Sequence, residues 1–561
     1  MAVKLEDLEA RWRQAYPKDV ARRLSYPDIS LDARLRQNGH QLAEQAALLF
    51  LGSQWSWRKL SDLAGRWAAT VSELGIGRGQ RVIIMLPNCP QAVAAFYGTL
   101  WARAVAVMVN PLYVEREIAQ ILDDSGASLV LALDRLAPRV DKVLADHPQV
   151  KVVYTHITDL LPAPKRQIAQ LVAKRHGQWQ DVPAKQTWGQ NLATHTLAVQ
   201  AAEPDELAAL QYTGGTTGTP KAVMLSHKNL MANALQTMVW SRRQPEVGAR
   251  VVGVLPFFHV YGMTVAMNLA LVSGAALMIL PRFDAKELTD ALIAYRPKFF
   301  PATPTMYVAV TQQAGQRKLD LSFISACISG SAPLPLSVQE EFEALTHGYL
   351  VEGYGLSEAS PVTHCNPLSE NRKTGTVGIP FPDTEGIVVD AEGQIAEVGE
   401  QGEIWVKGPQ VMLGYWQRPE ETATVLTSDG WLKTGDVGVL DEDGFLRIVD
   451  RMKDLIIAGG YNIYPREVEE VLYRHPKVIE AAVFGVPDAY LGQSVRAAVV
   501  AREGAELSGQ ELHDYCMGEL ARYKVPRSFE LRESLPKSVI GKTLRRVLAE
   551  QFEQTAKEDQ H

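Results

Sequence analysis

Short, mostly apolar runs alternate with helical stretches along most of this chain. Arg81–Pro87 predicts a buried strand, Gln91–Arg103 a helix, Ala104–Val109 a strand, Glu115–Ser125 a helix and Ser128–Leu133 a strand. Alternation of this kind builds parallel sheet covered by helices. The rhythm returns at Arg250–Leu255, Ala275–Leu280 and Phe299–Ala302. From about Thr384 to Val449 it changes. Strands such as Gly402–Lys407 and Phe445–Val449 sit between Gly and Asp turns, which predicts a small β-rich subdomain. Asp450-Arg-Met-Lys-Asp454 is then a charged break between two apolar strands, followed by a compact α+β tail. The predicted division is residues 1–449, a hinge at 450–454 and a C-terminal domain at 455–561.

Two stretches raise the question of a membrane. Val260–Leu280 contains no charged residue and is long enough to cross a bilayer. Asn268 and the Ser273-Gly274 pair interrupt it and Pro281 ends it, so it predicts a buried helix, a turn and a short strand Ala275–Leu280. Pro164–His176 is basic and mildly amphipathic: Ile168, Leu171 and Val172 can share a helix face, with Lys165, Arg166, Lys174 and Arg175 at its ends. It reads either as contact with an anionic membrane surface or as a solvated helix packed on the body. The narrow apolar face favours the second.

Composition narrows the class. A chain of 561 residues suggests about three or four folding units. With 46% apolar and 22% charged residues it reads as globular, and a net charge of −7 argues against a nucleic-acid binder. Cys89, Cys327, Cys365 and Cys516 lie far apart without CxxC or zinc spacing, which predicts buried free thiols in a reducing compartment. The first residues have no apolar signal core, so a cytoplasmic location is expected, with attachment to the inner face of the cell membrane as a variant.

The strongest chemical signal is Tyr212-Thr-Gly-Gly-Thr-Thr-Gly-Thr-Pro-Lys221. Glycines let backbone N–H groups approach phosphate oxygens, and hydroxyls add contacts. It is not a Walker A loop, because Gly-Lys-Ser/Thr is missing at the required spacing. The loop resembles the phosphate-binding signature of the adenylate-forming superfamily of acyl-CoA synthetases, luciferases and adenylation domains. Pro256-Phe-Phe-His259, Ser329-Gly-Ser-Ala-Pro333, Gly353-Tyr-Gly-Leu-Ser-Glu358, Thr434-Gly-Asp436, Asp450–Asp454 and Gly541-Lys542 follow in that superfamily's order. The fold implied is α/β: a large N-terminal domain of parallel-rich sheets covered by helices with a small β subdomain, then a small mobile α+β C-terminal domain.

The resemblance also implies roles. Thr213, Gly214, Gly215, Thr216, Thr217, Gly218 and Lys221 would hold the ATP phosphates. Tyr354, between Gly353 and Gly355 and followed by Ser357, would lie against the adenine, with Gly330, Ser331 and Ala332 in the same wall. Asp436 would accept bonds from the ribose hydroxyls, assisted by Arg451. Thr216 and Glu358 would hold Mg2+, for which a carboxylate is a suitable hard ligand. His259 would sit beside the substrate carboxylate, and Lys542 would offset negative charge as that carboxylate attacks the α-phosphate. Gly459 and Gly460 would line the channel for CoA after the C-terminal domain turns about Lys453.

Two segments, Asp429–Lys453 and Gly408–Pro419, closely resemble bacterial long-chain-fatty-acid–CoA ligases. The activity implied is formation of acyl-AMP from a fatty acid and ATP, then transfer to CoA, with Met263–Val272 as part of the tail pocket. The resemblance departs at Met263, where some long-chain members carry a tryptophan gate. A medium-chain or aryl acid–CoA ligase, a luciferase-like oxygenase and a non-enzymatic acyl or nucleotide sensor are the alternatives; Lys542, Glu358 and Asp436 together speak against the sensor. A homodimer is compatible with all of them.

Overall fold

The alternation of strand and helix builds two sheets with helices between and around them. The computed structural model describes residues 4–213, 220–241, 248–458, 461–488, 491–502, 504–538 and 541–558, with backbone only at 453 and 556–558. Of the expected site residues, Gly214, Gly215, Thr216, Thr217, Gly218, Gly459 and Gly460 lie outside the described residues.

The first sheet runs, in spatial order, Gly414–Tyr415, Lys221–Ser226, Leu207–Thr213, Val105–Met108, Arg81–Met85, Leu129–Leu133 and Lys151–Thr155. The four pairings from Leu207–Thr213 to Lys151–Thr155 are parallel, as the alternation predicts. The second sheet begins Ser53–Ser56, Ala46–Phe50, Ala276–Ile279, Arg250–Gly253. It reaches Ala326–Ser329, Tyr349–Gly355, Val362–Cys365 and Ile379–Pro380 through single bridges at Phe299 and Ala302. The continuous strand expected at Phe299–Ala302 is therefore only isolated bridges, two at Phe299 and one at Ala302. Pro301 stands between them and has no N–H to give to a ladder.

Helix Pro90–Trp101 is buried at every position. An element that is apolar on all sides belongs between layers. Val260–Ser273 is helical, and 260–272 is buried throughout. Its middle, Met263–Asn268, is wound as a π-helix, a form that recurs at functional sites. Gly274 at φ +69° then turns the chain into strand Ala276–Ile279. Among the described residues no helix is long and apolar enough to cross a membrane. All four cysteines are free and buried.

The β subdomain is an antiparallel sheet of Glu385–Val389, Gln401–Lys407, Leu432–Leu440 and Leu446–Arg451. Its last strand passes the expected boundary at 449: Asp450 pairs with Val437 and Arg451 with Asp436. The stretch without sheet pairing is the short turn Met452–Asp454 with Leu455 after it. Beyond it, Tyr461–Ile463, Ile456–Ala458, Gly492–Ala501 and Val478–Asp488 form a second antiparallel sheet, with Ser528–Leu531 added in parallel. Ile463, Val468, Leu472, Val483, Val499 and Leu512 belong to the separate core of this domain.

Candidate active site

Strands Leu207–Thr213 and Lys221–Ser226 pair so that Thr213 faces Lys221, and the Gly/Thr loop leaves and returns at one place. Lys221 was expected on the phosphates. Here its ammonium pairs with Glu421 and lies 5.2 Å from the centre of the Tyr415 ring. The Tyr415 hydroxyl donates to Glu358 Oε1 at 2.9 Å. Tyr415 thus ties the exit of the loop to Glu358, which the short turn Ser357–Ala359 presents. Among the described residues no Lys or Arg pairs with Glu358, and its side chain lines a cavity of about 290 Å3 with Glu403, Tyr415, Lys433 and Thr434. An unpaired carboxylate facing a polar cavity fits a hard divalent cation that also takes phosphate oxygens.

Tyr354 ends strand Tyr349–Gly355 rather than sitting in a turn. Its hydroxyl donates to Asp436 Oδ2 at 2.5 Å, and Arg451 Nε lies 3.1 Å from Asp436 Oδ1. Burial and the neighbouring carboxylate hold the Tyr354 phenol well above its usual pKa. The expected ring-stacking and ribose-binding residues are therefore one connected group. The glycines beside Tyr354 serve close packing. A Cβ on Gly355 would come within 2.1 Å of the Pro361 carbonyl oxygen, and one on Gly353 within 3.1 Å of Ile328. The space over Gly330 is likewise filled by the Tyr261 ring, 2.9 Å from a built Cβ. Ser331 beside it holds φ +72°. A non-glycine residue in that region is strained, a feature that clusters at ligand sites. Ala332 follows, half-buried.

The turn Pro256–His259 is fixed from outside. Asn88 Nδ2 donates to the carbonyls of Gly253 (3.1 Å) and Leu255 (2.9 Å), and its Oδ1 accepts from Phe257 N–H at 2.8 Å. Gln211, two residues before Thr213, donates to the Phe258 carbonyl at 3.0 Å and so couples this turn to the phosphate-loop strand. His259 then caps the following helix, its Nδ1 accepting from Tyr261 N–H at 3.2 Å. That bond leaves the ring proton on Nε2. Burial, with the nearby Lys542 charge second, pushes His259 down to about 4, so the imidazole is neutral near pH 7.

Lys542, in the C-terminal domain, thus lies near enough to His259 for its charge to act on the imidazole. Its backbone N–H donates to Ser538 Oγ at 3.1 Å. Gly541, at φ +75°, lies against Thr303 and Thr305; a Cβ there would be 3.1 Å from the Thr305 hydroxyl. Lys542, His259, Tyr354, Asp436 and Glu358 were legible as candidates. Asn88, Gln211 and Tyr415 were not, because their contacts join segments far apart in sequence. The helix expected to form part of the tail pocket carries two buried polar contacts. Thr264 donates to the Ser360 carbonyl at 2.6 Å, and Tyr97 donates to Asn268 Oδ1 at 2.9 Å.

Comparison with known proteins matches residues 35–416 to the AMP-binding enzyme family and 467–542 to the AMP-binding enzyme C-terminal domain. The chain is 43% identical over 547 residues to a long-chain-fatty-acid–CoA ligase of Bacillus subtilis (strain 168), covering 96% of this chain and 98% of that one. It is 38% identical over 558 residues to the protein of the same name from Yersinia pestis, covering 97% and 98%. Among solved structures, ATP-bound MatB from Rhodopseudomonas palustris superposes with a TM-score of 0.81 at 30% identity, covering 94% of this chain and 99% of that one.

Proposed function

The chain belongs to the AMP-binding enzyme family, and from that premise we propose that it is a long-chain fatty acid–CoA ligase working through an acyl-adenylate. A carboxylate is a poor acyl donor to a thiol. Attack on the α-phosphate of ATP expels pyrophosphate and turns the carboxylate oxygen into part of a good leaving group, AMP. The CoA thiol then adds to the adenylate carbonyl, and AMP departs as the thioester forms.

The observation that supports this reading is that the Lys542 charge acts on the buried His259, with neighbouring Gly541 packed against Thr303 and Thr305 of the N-terminal domain. Two anions must approach each other in the first step. A lysine fixed over that point offsets the charge, and the Nε2–H of a neutral His259 gives the carboxylate a donor. Tyr354, Asp436 and Arg451 supply an aromatic face and hydroxyl-binding groups for adenosine. Glu358, with Thr216, would hold Mg2+, which supplies positive charge to the triphosphate when bound. The loop at Gly459-Gly460 would admit CoA; the flanking strands Ile456–Ala458 and Tyr461–Ile463 pair across it.

Long-chain preference is supported by the curated relatives' names and by the uncharged helix behind His259. Each CH2 that becomes buried adds about 0.8 kcal/mol of binding until the pocket is full. AMP release should be measured with ATP, CoA and saturated acids of graded length. The expected result is kcat/KM climbing towards long acids. A preference for acetate or benzoate would overturn the long-chain assignment.

A further inference from the structure

We propose that the helix Lys165–Arg175 is a docking face for an anionic lipid surface. Sequence reasoning favoured a solvated helix packed on the body. The helix is solvated, and its larger apolar side chains are turned outward. No residue of the helix is buried; Ala169, Gln170 and Ala173 face the body, half-covered. Ile168, Leu171 and Val172 point outward, at 59%, 69% and 52% exposure. With Arg175 they follow the i, i+3, i+4, i+7 spacing of one helical stripe. Leu51, 53% exposed, lies next to Gly52, whose carbonyl accepts from the Lys165 ammonium.

The charge on this element is one-sided. Lys165, Arg166, Lys174 and Arg175 are its ionisable residues apart from the adjoining His176, and no Asp or Glu lies between Asp159 and Asp181. The whole chain carries −7, so this is a basic patch on an acidic protein. The helix is also moored at both ends. Lys165 binds the Gly52 carbonyl, and Lys174 lies 4.8 Å from the Trp179 ring, which stacks on His156 at 3.5 Å. A moored helix with an outward apolar stripe and basic flanks matches the interface of an anionic bilayer, whose headgroups take the cations while the stripe enters the acyl boundary. Charge complementarity favours lipid over a second copy of this chain, which would set basic ends against each other.

The test is flotation of the full-length protein with vesicles containing phosphatidylglycerol, against vesicles of phosphatidylcholine alone. It needs no turnover, so it stands or falls separately from the ligase reading. The protein should float with the anionic vesicles only, less at high salt. Ile168→Asp with Leu171→Asp, and Arg166→Glu with Arg175→Glu, should each lower the partition coefficient about tenfold or more. Thermal melting should be unchanged, because these side chains are exposed. Equal flotation of the variants, or none by the wild type, would overturn the proposal. So would a wild-type dimer that the Ile168/Leu171 variant dissociates.

Discussion

Arg466, at the start of the helix Pro465–Arg474, holds its guanidinium 3.6 Å from the carboxylate of Glu352, on the strand that carries Tyr354. The backbone N–H of Arg466 also donates to Asp450 at 2.7 Å. One residue of the mobile-domain candidate thus grips both the N-terminal sheet and the end of the β subdomain.

That relationship predicts a pH dependence. Burial pushes the Glu352 carboxyl up to about 7 from an ordinary 4.5, with Arg466 pulling it partly back. The folded state therefore binds this proton more tightly than the unfolded chain. Its contribution is fully present below pH 4.5 and is lost as pH rises through about 7. Relative to Glu352→Gln, the wild type should lose on the order of 3 kcal/mol across that window. Denaturant midpoints of both proteins, measured as a function of pH, check this. Parallel curves would mean that Glu352 titrates normally.

Lys542→Ala should separate the half-reactions. Loss of one preorganised charge commonly costs on the order of 10²–10³ in rate, here in pyrophosphate release from ATP and fatty acid. Synthetic acyl-adenylate with CoA should still yield thioester. The His259 pKa should rise from about 4 yet stay below 6.5, since burial is the larger cause and remains. Equal loss in both half-reactions would misplace the lysine.

Asn88 offers a test of how the Pro256–His259 turn is held. Asn88→Ala removes the partner of the Leu255 carbonyl and of the Phe257 N–H, at about 1–3 kcal/mol for each buried group left unpaired, while the Gly253 carbonyl keeps the Leu280 N–H. Asn88→Asp keeps the acceptor for Phe257 but loses both donations. Both variants should be less stable than the wild type, and adenylation should fall with stability. Adenylation that holds at wild-type rate in a destabilised Asn88→Ala protein would show that the turn keeps its shape unaided.

What the sequence made legible follows from where each signal resides. Glu115–Ser125 was bounded correctly at both ends, because apolar spacing and the glycine that follows it are local. The parallel sheet was legible for the same reason. Phe299–Ala302 failed as a strand because its apolar run hides a proline that cannot donate. Strand Leu446–Arg451 outran its prediction because pairing with Val437 and Asp436 outweighs the charge of Asp450 and Arg451. Gly353 and Gly355 have packing reasons: the Pro361 carbonyl leaves no room for a side chain at Gly355, and the Ile328 side chain crowds Gly353. Asn88 and Tyr415 act through tertiary contacts, which no spacing along the chain encodes.

The last prediction concerns the turn Met452–Asp454. Asp450 and Arg451 are held in the β subdomain, and Ile456–Ala458 already belongs to the C-terminal sheet, so rotation between the domains must be absorbed in the few residues between. In the present arrangement the Lys542 charge acts on His259, and under the proposed mechanism CoA attack would need the lysine moved away. This arrangement is also clasped: Arg545 Nη1 reaches Asp454 Oδ2 at 3.1 Å and Asp450 Oδ1 at 3.4 Å, on either side of the turn. Ile457 and Tyr461, just beyond it, leave large apolar surfaces 52% and 55% exposed, which a second docked position of the domain can cover. Proline locks φ near −65° and restricts the residue before it. Lys453→Pro should therefore keep acyl-adenylate formation largely intact while thioester formation falls by about tenfold or more, a ten-fold loss corresponding to about 1.4 kcal/mol on the second barrier. The two half-reactions should be assayed separately, with circular dichroism to establish folding. A folded variant with both near normal would remove this turn from the mechanism and leave the two chemical steps to share one domain arrangement.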